Sequence, residues 1–135
     1  MSIKSWKEEF YPVPAQKVSK KDAIKHSLTK WLGLTKENLE KHGLRSHWGG
    51  LLAIDPGAHK IFFTIDDNTC ALCHHYMEYQ NDEPCINCPL VKNHFVTSEG
   101  CGQGDTDDIY SQFRSEKNNP LPMIKALKYC LMKKH

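Results

Sequence analysis

Four of the six cysteines fall into two C-x-x-C pairs, Cys70 with Cys73 and Cys85 with Cys88. Two residues between cysteines let the chain turn so that both sulfurs face one ion. Two such pairs supply the four thiolates of a tetrahedral zinc site. Only eleven residues separate the pairs, so the loop between them costs little entropy to close. The spacing therefore predicts one structural Zn²⁺ per chain, bound by these four thiolates.

Alternatives to this ligand set remain open. Cys101 has glycine on both sides, which lets the backbone turn sharply, and it is an alternative fourth ligand in place of Cys70. Cys88 is followed by Pro89 as in bacterial ferredoxins, but the other spacings do not match an iron–sulfur motif. Disulfides or free thiols are a third alternative. Cys130 falls at helical spacing with leucines, which predicts a buried core thiol.

Histidines beside the cysteine pairs, His74, His75 and His94, could act as ligands or as catalytic bases. Four thiolates already satisfy zinc, so we expect these histidines to be exposed. Their arrangement superficially resembles an HNH nuclease with zinc knuckles. In such an enzyme a ββα unit lies between the cysteine pairs, and eleven residues are too few to form one.

Other catalytic motifs do not stand out. A thioredoxin-type site needs a C-x-x-C pair that opens a helix after a strand, and neither pair is expected to have that context. The sequence shows no glycine-rich phosphate loop, serine nucleophile motif or paired carboxylates. It therefore predicts a protein that is not an enzyme, with an HNH-like nuclease as the remote alternative.

The elements that must position the cysteines indicate a small zinc-stapled α+β domain with a β-hairpin and about four helices. Apolar residues recur at helical spacing over 23–32, and again over 123–131. Strand-like runs at 51–54 and 61–65 flank a turn signal, Asp55-Pro56-Gly57. The stretch 70–104 lacks any periodicity, so we expect metal to order it. We expect one domain made of an N-terminal arm (1–18), a helical pair (19–43), the β-hairpin (49–69), the zinc-knuckle region (70–104) and C-terminal helices (105–135).

Charge is unevenly distributed along the chain. Residues 1–48 carry ten Lys/Arg against five Asp/Glu, whereas residues 49–119 carry four against eleven. Basic ends therefore flank an acidic, cysteine-rich middle. The longest unbroken apolar run, 51–54, is too short to span a membrane. The first residues are charged where a secretion signal needs an apolar run, so we expect a cytoplasmic protein whose thiols stay reduced.

Several motifs together resemble a set of small, uncharacterised, cysteine-rich (zinc-knuckle) phage and prophage proteins. They are residues 10–15, 22–31, 33–34, 37–39, 70–73, 85–90 and 120–127. The resemblance covers most of the chain and implies a phage-borne accessory protein that acts in the cytoplasm of a bacterial host. It carries over no catalytic residue.

Two functions follow from these observations. The first is a non-catalytic module that binds a bacterial host or defence protein as an inhibitor or adaptor. Its proposed contacts are Tyr76 and Tyr79 beside the first knuckle, because tyrosine is enriched among binding anchors. The second is a nucleic-acid-binding zinc protein, such as a regulator, that contacts phosphates through basic side chains. The candidate lysines are Lys17, Lys20, Lys21, Lys25 and Lys30.

Overall fold

The fold is mixed α+β, as predicted, with helices packed around a small antiparallel sheet. The computed structural model describes residues 2–55, 57, 59–65, 69–76, 85, 87–95, 109–114 and 119–133. Within these residues, no helix is both long and apolar enough to cross a membrane.

The helix α2 lies at the centre of the fold and packs against α1, α4 and α7. The helix α7 also packs against α5 and α6. The contact between α2 and α7 therefore joins the N-terminal half of the chain to its C-terminal half. The helices are α1 (Ile3–Phe10), α2 (Ala23–Leu32), α3 (Lys36–Lys41), α4 (Ala71–Tyr76), α5 (Pro89–Lys92), α6 (Ile109–Arg114) and α7 (Leu121–Lys133). Short 3-10 turns at Ala15–Lys17 and Lys20–Asp22 connect α1 to α2.

Side-chain caps begin several of these helices. Ser2 and Ser5 form a reciprocal capping box at the start of α1. The Thr35 hydroxyl accepts a hydrogen bond from the Asn38 amide and caps α3. At the start of α7 the Asn119 side chain accepts from the Leu121 amide at 3.2 Å. These local bonds satisfy amides that have no partner inside their own helix.

The sheet has the order β1-β2-β3, with β1 (Leu44–His47), β2 (Gly50–Ala53) and β3 (Phe63–Thr64). The predicted hairpin is confirmed as the antiparallel β2–β3 pair, in which Leu51 faces Phe63, although β3 is shorter than predicted. The sequence analysis missed β1, which pairs with β2 through a two-residue turn at Trp48 and Gly49. Both turn residues have positive φ, 50° and 85°, the backbone that a tight hairpin needs.

The N-terminal arm packs on the body of the fold through buried aromatic residues. Trp6 is fully buried, and its indole Nε1 donates to the Gly33 carbonyl oxygen at 2.9 Å. A Cβ atom at position 33 would lie 2.4 Å from Phe10 Cγ, so the contact between α1 and the end of α2 requires glycine there. Tyr11 packs on Phe63 with ring centroids 4.9 Å apart, which ties the arm to β3.

Two helices of the cysteine region were not predicted. The helix α4 begins directly after Cys70, and α5 begins directly after Cys88. No helix was expected in this stretch, because residues 70–104 lack periodicity, and α4 and α5 correct that expectation. These helices have six and four residues, too few for a hydrophobic period to show in the sequence. Among the described residues the sheet is antiparallel, so α4 does not belong to the βαβ unit of a thioredoxin-type fold.

Candidate metal centre

The first cysteine pair lies at the start of α4, beneath the central helix α2. Cys70 precedes the helix, and its carbonyl oxygen accepts from the His74 amide at 3.0 Å. Hydrogen bonds from the Cys73 thiol and amide reach the Cys70 sulfur, and the Ser27 hydroxyl of α2 lies 3.9 Å from it. Together with the positive charge of Lys30, these bonds hold the pKa of Cys70 well below its ordinary value. This environment favours Cys70 as a thiolate.

The second pair forms a turn that leads into α5. The Cys88 amide donates to the Cys85 carbonyl oxygen at 2.9 Å, and both side chains are buried. Backbone N–H groups of Leu90 and Val91 are directed at the Cys88 sulfur. Amides that face a cysteine sulfur favour its thiolate form, because a charged sulfur is a stronger hydrogen-bond acceptor than a thiol. The backbone here is thus suited to hold a thiolate.

The two pairs are close enough for their charges to interact. Burial, together with the negative charges of Cys70 and Cys85, raises the pKa of Cys88 to about 12. The Cys88 charge also contributes to the raised pKa of Tyr76, whose main cause is burial. Without a cation, these thiols therefore cannot all ionise near neutral pH.

The cysteine side chains do not form a closed ligand set. Among the residues that the structure describes, no three His, Cys, Asp or Glu side chains are grouped so that they could hold a metal ion. No disulfide joins any two of the five described cysteines. The predicted zinc site thus has thiol donors of the right type in two neighbouring pairs, and the zinc itself remains a prediction.

The remaining predicted residues have varied surroundings. Cys101 and Tyr79 lie outside the described residues. His74 is exposed, as predicted, whereas the partly buried His75 donates its Nε2–H to the Val18 carbonyl oxygen. Tyr76 is partly buried against the core, and the Lys20 ammonium lies 4.8 Å from its ring centre. Tyr76 is thus partly packed on the core and partly exposed to solvent.

Cys130 is a core thiol, as predicted. It lies on α7 with its side chain 2% exposed. Its sulfur donates to the Pro89 carbonyl oxygen and accepts from Asn93, each at 3.6 Å. Burial raises the pKa of Cys130, so this thiol stays protonated. Cys130 fastens α7 to α5, the helix that follows the second pair.

A polar cluster elsewhere was missed by the sequence analysis. Ser5 Oγ lies 2.8 Å from His42 Nδ1, and His42 Nε2 lies 2.8 Å from a Glu9 carboxylate oxygen. No spacing signal could reveal it, because the serine and the histidine lie 37 positions apart in the chain. Serine, histidine and carboxylate in series can activate a nucleophile. Here, however, the Ser5 hydroxyl also accepts from the Ser2 amide and serves the capping box of α1. The cluster therefore ties α1 to the end of α3.

The prediction that Lys30 contacts phosphate, together with four other lysines, is wrong. Lys30 is 1% exposed, and its Nζ donates to the Thr69 carbonyl oxygen at 2.8 Å. A side chain so placed cannot contact a nucleic acid. The other four lysines of the set are exposed: Lys17, Lys20, Lys21 and Lys25.

Comparison with known proteins identifies no relative. No protein-family model matches the chain, and neither a curated protein nor a solved structure matches it.

Proposed function

We propose that this protein binds one structural Zn²⁺ through Cys70, Cys73, Cys85 and Cys88. The observation that carries the proposal is that both pairs meet at one core cluster, which contains Cys85 and Cys88 and against which Cys70 packs. Buried thiols that lie close together cannot all become thiolates unless a cation offsets their negative charges. A divalent ion bound by four thiolates provides that cation, and it would draw the two pairs into one tetrahedral set.

Such a site would hold two short helices that have few interactions of their own. The helix α5 contains four residues and α4 contains six, lengths at which an isolated helix is not stable in water. The core supports each of them from one side, because α4 packs on α2 and α5 packs on α7. A metal between the pairs would connect these two supports, so its binding free energy would also be folding free energy.

Metal analysis of the purified protein tests this proposal. We expect about one zinc per chain and no visible absorbance. Chelation at neutral pH is expected to lower the helical circular dichroism and the melting temperature. Iron with visible absorbance would favour the cluster alternative, and a metal-free protein with an unchanged melting temperature would refute a structural zinc site.

Single cysteine replacements identify the ligands. We expect Cys73→Ser, Cys85→Ser and Cys88→Ser to lose zinc, because a serine hydroxyl does not replace a thiolate. Cys130→Ser is the matched control: it removes a buried thiol outside the site and should retain zinc. If Cys101→Ser loses zinc while Cys70→Ser retains it, Cys101 is the fourth ligand.

The cellular role that we propose is non-catalytic binding of a bacterial host or defence protein by a phage-borne accessory protein. The resemblance to phage proteins supports this role, as does the position of Tyr76, which the first knuckle would hold rigid. A rigid surface binds with a small ordering cost. In a pull-down from bacterial lysate, a partner should be retained by the wild type and by Tyr129→Ala, a change at an exposed tyrosine of α7. The double variant Tyr76→Ala, Tyr79→Ala should lose that partner without losing zinc.

Nucleic-acid binding is the second candidate, and the exposure of four neighbouring lysines favours it. Lys17, Lys20 and Lys21 lie in the 3-10 turns that connect α1 to α2, and Lys25 lies in the first turn of α2. Affinity for random-sequence DNA that falls steeply with salt would support this candidate, because phosphate contacts release counterions. Binding that is absent at low salt would leave the protein-binding proposal as the better one.

A further inference from the structure

A groove lies between the N-terminal arm and the central helix α2, and its volume is about 450 Å³. Cavities of this size are typical of ligand-binding sites. One wall is the end of the arm, with Val13 and Val18, and the other is the first part of α2, with Lys25. No described cysteine lines the groove, so it is separate from the candidate metal centre.

Hydrogen bonds hold the arm side of this groove in place. The Nε2–H of His26 on α2 donates to the Val13 carbonyl oxygen at 2.7 Å, which ties the arm to the helix. Five residues further along the chain, the Val18 carbonyl oxygen accepts from His75 of α4. A groove that is already formed binds a ligand without a large ordering cost.

The charged groups of the groove are mainly cationic. Lys17 and Lys25 line it, and both side chains are exposed. Within the part of the chain that the structure describes, neither lysine takes part in an ion pair. Asp22 is the one carboxylate among the described lining residues, and it accepts from the Ser19 hydroxyl at 3.1 Å. Two ammonium groups against one carboxylate favour an anionic ligand.

The rest of the groove is largely apolar. Phe10 and Val18 are 8% and 9% exposed, whereas Val13 is 41% exposed. An apolar side chain of a ligand gains from contact with such a surface, but the phosphate backbone of duplex DNA does not. The Asp22 carboxylate also repels a run of phosphates, whereas it can accept a hydrogen bond from a peptide N–H. These features favour an acidic peptide over a nucleic acid.

The groove is continuous with the surface around Tyr76 that we propose for partner binding. Lys20 lies two positions after Val18, and its ammonium group is 4.8 Å from the centre of the Tyr76 ring. The helix α4, which ends at Tyr76, packs on both 3-10 turns between α1 and α2. A partner that contacts Tyr76 therefore lies beside Lys20 and the groove as well.

We infer that this groove binds an acidic segment of the partner protein. Carboxylates of that segment pair with Lys17 and Lys25, and an apolar side chain between them packs on Val13 and Val18. The inference rests on the proposed protein-binding function and adds the chemistry of the partner to it. It does not depend on the zinc site.

A library of random peptides displayed on yeast and sorted with the labelled protein tests this inference. We expect the enriched peptides to share an apolar residue flanked by Asp or Glu. One enriched peptide is then synthesised, and its Kd is measured by fluorescence anisotropy. We expect the double variant Lys17→Gln, Lys25→Gln to bind this peptide about tenfold more weakly, because two exposed charge pairs are lost.

Two further variants separate the groove from general charge effects. Lys125→Gln, Lys128→Gln is the matched control: it removes two exposed charges from α7, a helix that does not line the groove, and should bind the peptide as the wild type does. Val13→Ser shortens an exposed apolar side chain of the groove and should weaken binding about threefold with an unchanged melting temperature.

The inference is overturned if no peptide is enriched, if the enriched peptides lack acidic residues, or if the double variant Lys17→Gln, Lys25→Gln keeps the wild-type Kd. Duplex DNA that binds with the same dependence on these two lysines, while no peptide is enriched, would assign the groove to nucleic acid.

The pull-down from bacterial lysate tests the function separately. A partner that the wild type and Lys17→Gln, Lys25→Gln retain equally would refute the role of the groove and leave protein binding in place. A wild type that retains no partner would refute the protein-binding function on which the inference rests.

Discussion

At the scale of single residues, the cysteine pairs show how the surroundings of a thiol set its pKa. Cys70 receives hydrogen bonds from Cys73 and Ser27, whereas Cys88 is buried near sulfurs that carry charge. The same residue type therefore has a lowered pKa at one position and a raised pKa at the other. The difference follows from the hydrogen bonds that Cys70 receives and from the burial of Cys88.

Gly33 provides a residue-scale test of the packing. A Cβ at this position would overlap the Phe10 ring, with 2.4 Å to Cγ, and the backbone φ of −70° is ordinary, so only the contact matters. We expect Gly33→Ala to lower the free energy of unfolding by about 1–3 kcal/mol, as overpacking does. Urea unfolding at neutral pH measures it.

Gly57→Ala is the control for this change, because a Cβ there meets only the Asp55 carboxylate at an ordinary 3.6 Å. We expect its effect to stay within about 0.5 kcal/mol. Equal stability of the two variants would contradict the described contact between α1 and the end of α2.

At the scale of elements, the long helices were predictable and the short ones were not. The apolar spacing of α7 correctly predicted that Met123, Ile124 and Leu127 are buried. In α2 the same reasoning missed Ser27 and Lys30, because a helix with neighbours on several sides buries more than its apolar stripe. A period cannot be read from four or six residues, which is why α4 and α5 were missed.

The strand β1 was missed for a different physical reason. Its sequence, Leu-Arg-Ser-His, has one fully buried side chain, and the turn after it uses Trp48 where an asparagine would signal a hairpin. For the candidate site, the sequence shows the four cysteines and their C-x-x-C pairing. It could not show that Lys30 and Ser27 of α2 approach Cys70, because about forty residues separate them along the chain.

The link between α1 and α3 makes a pH-dependent prediction. Hydrogen bonds from His42 and Lys41 lower the pKa of Glu9. A carboxyl group whose pKa is lowered by folding adds stability above its unfolded value of about 4.5, and that stability is lost as pH falls through the lower, folded value. We expect Glu9→Gln to be less stable than the wild type at pH 7, with the difference shrinking below about pH 4.5. Thermal unfolding from pH 7 to pH 3 measures it.

Glu8→Gln removes an exposed carboxylate from the neighbouring position of α1 and serves as the control. It should follow the wild type across the whole range. A difference between Glu9→Gln and the wild type that does not change with pH would show that the carboxylate charge is not the source of its effect.

At the scale of the whole molecule, the three tryptophans differ in solvent exposure and so test which parts of the fold are buried. Trp6 and Trp31 are 0% and 3% exposed, whereas Trp48 at the hairpin tip is 55% exposed. We therefore expect acrylamide to quench part of the native fluorescence, and we expect Trp48→Phe to remove most of that quenchable part. In urea, all tryptophans that remain should become accessible. Strong quenching of native Trp48→Phe would contradict the described burial of Trp6 and Trp31.

The central position of α2 has a consequence for synthesis. Its buried side packs on α7, a helix that the ribosome makes much later, at residues 121–133. Until α7 has left the exit tunnel, Ala23, Ile24 and Trp31 lack much of their final cover. A nascent chain of this protein thus carries an apolar surface until α7 emerges, the condition under which chaperones bind.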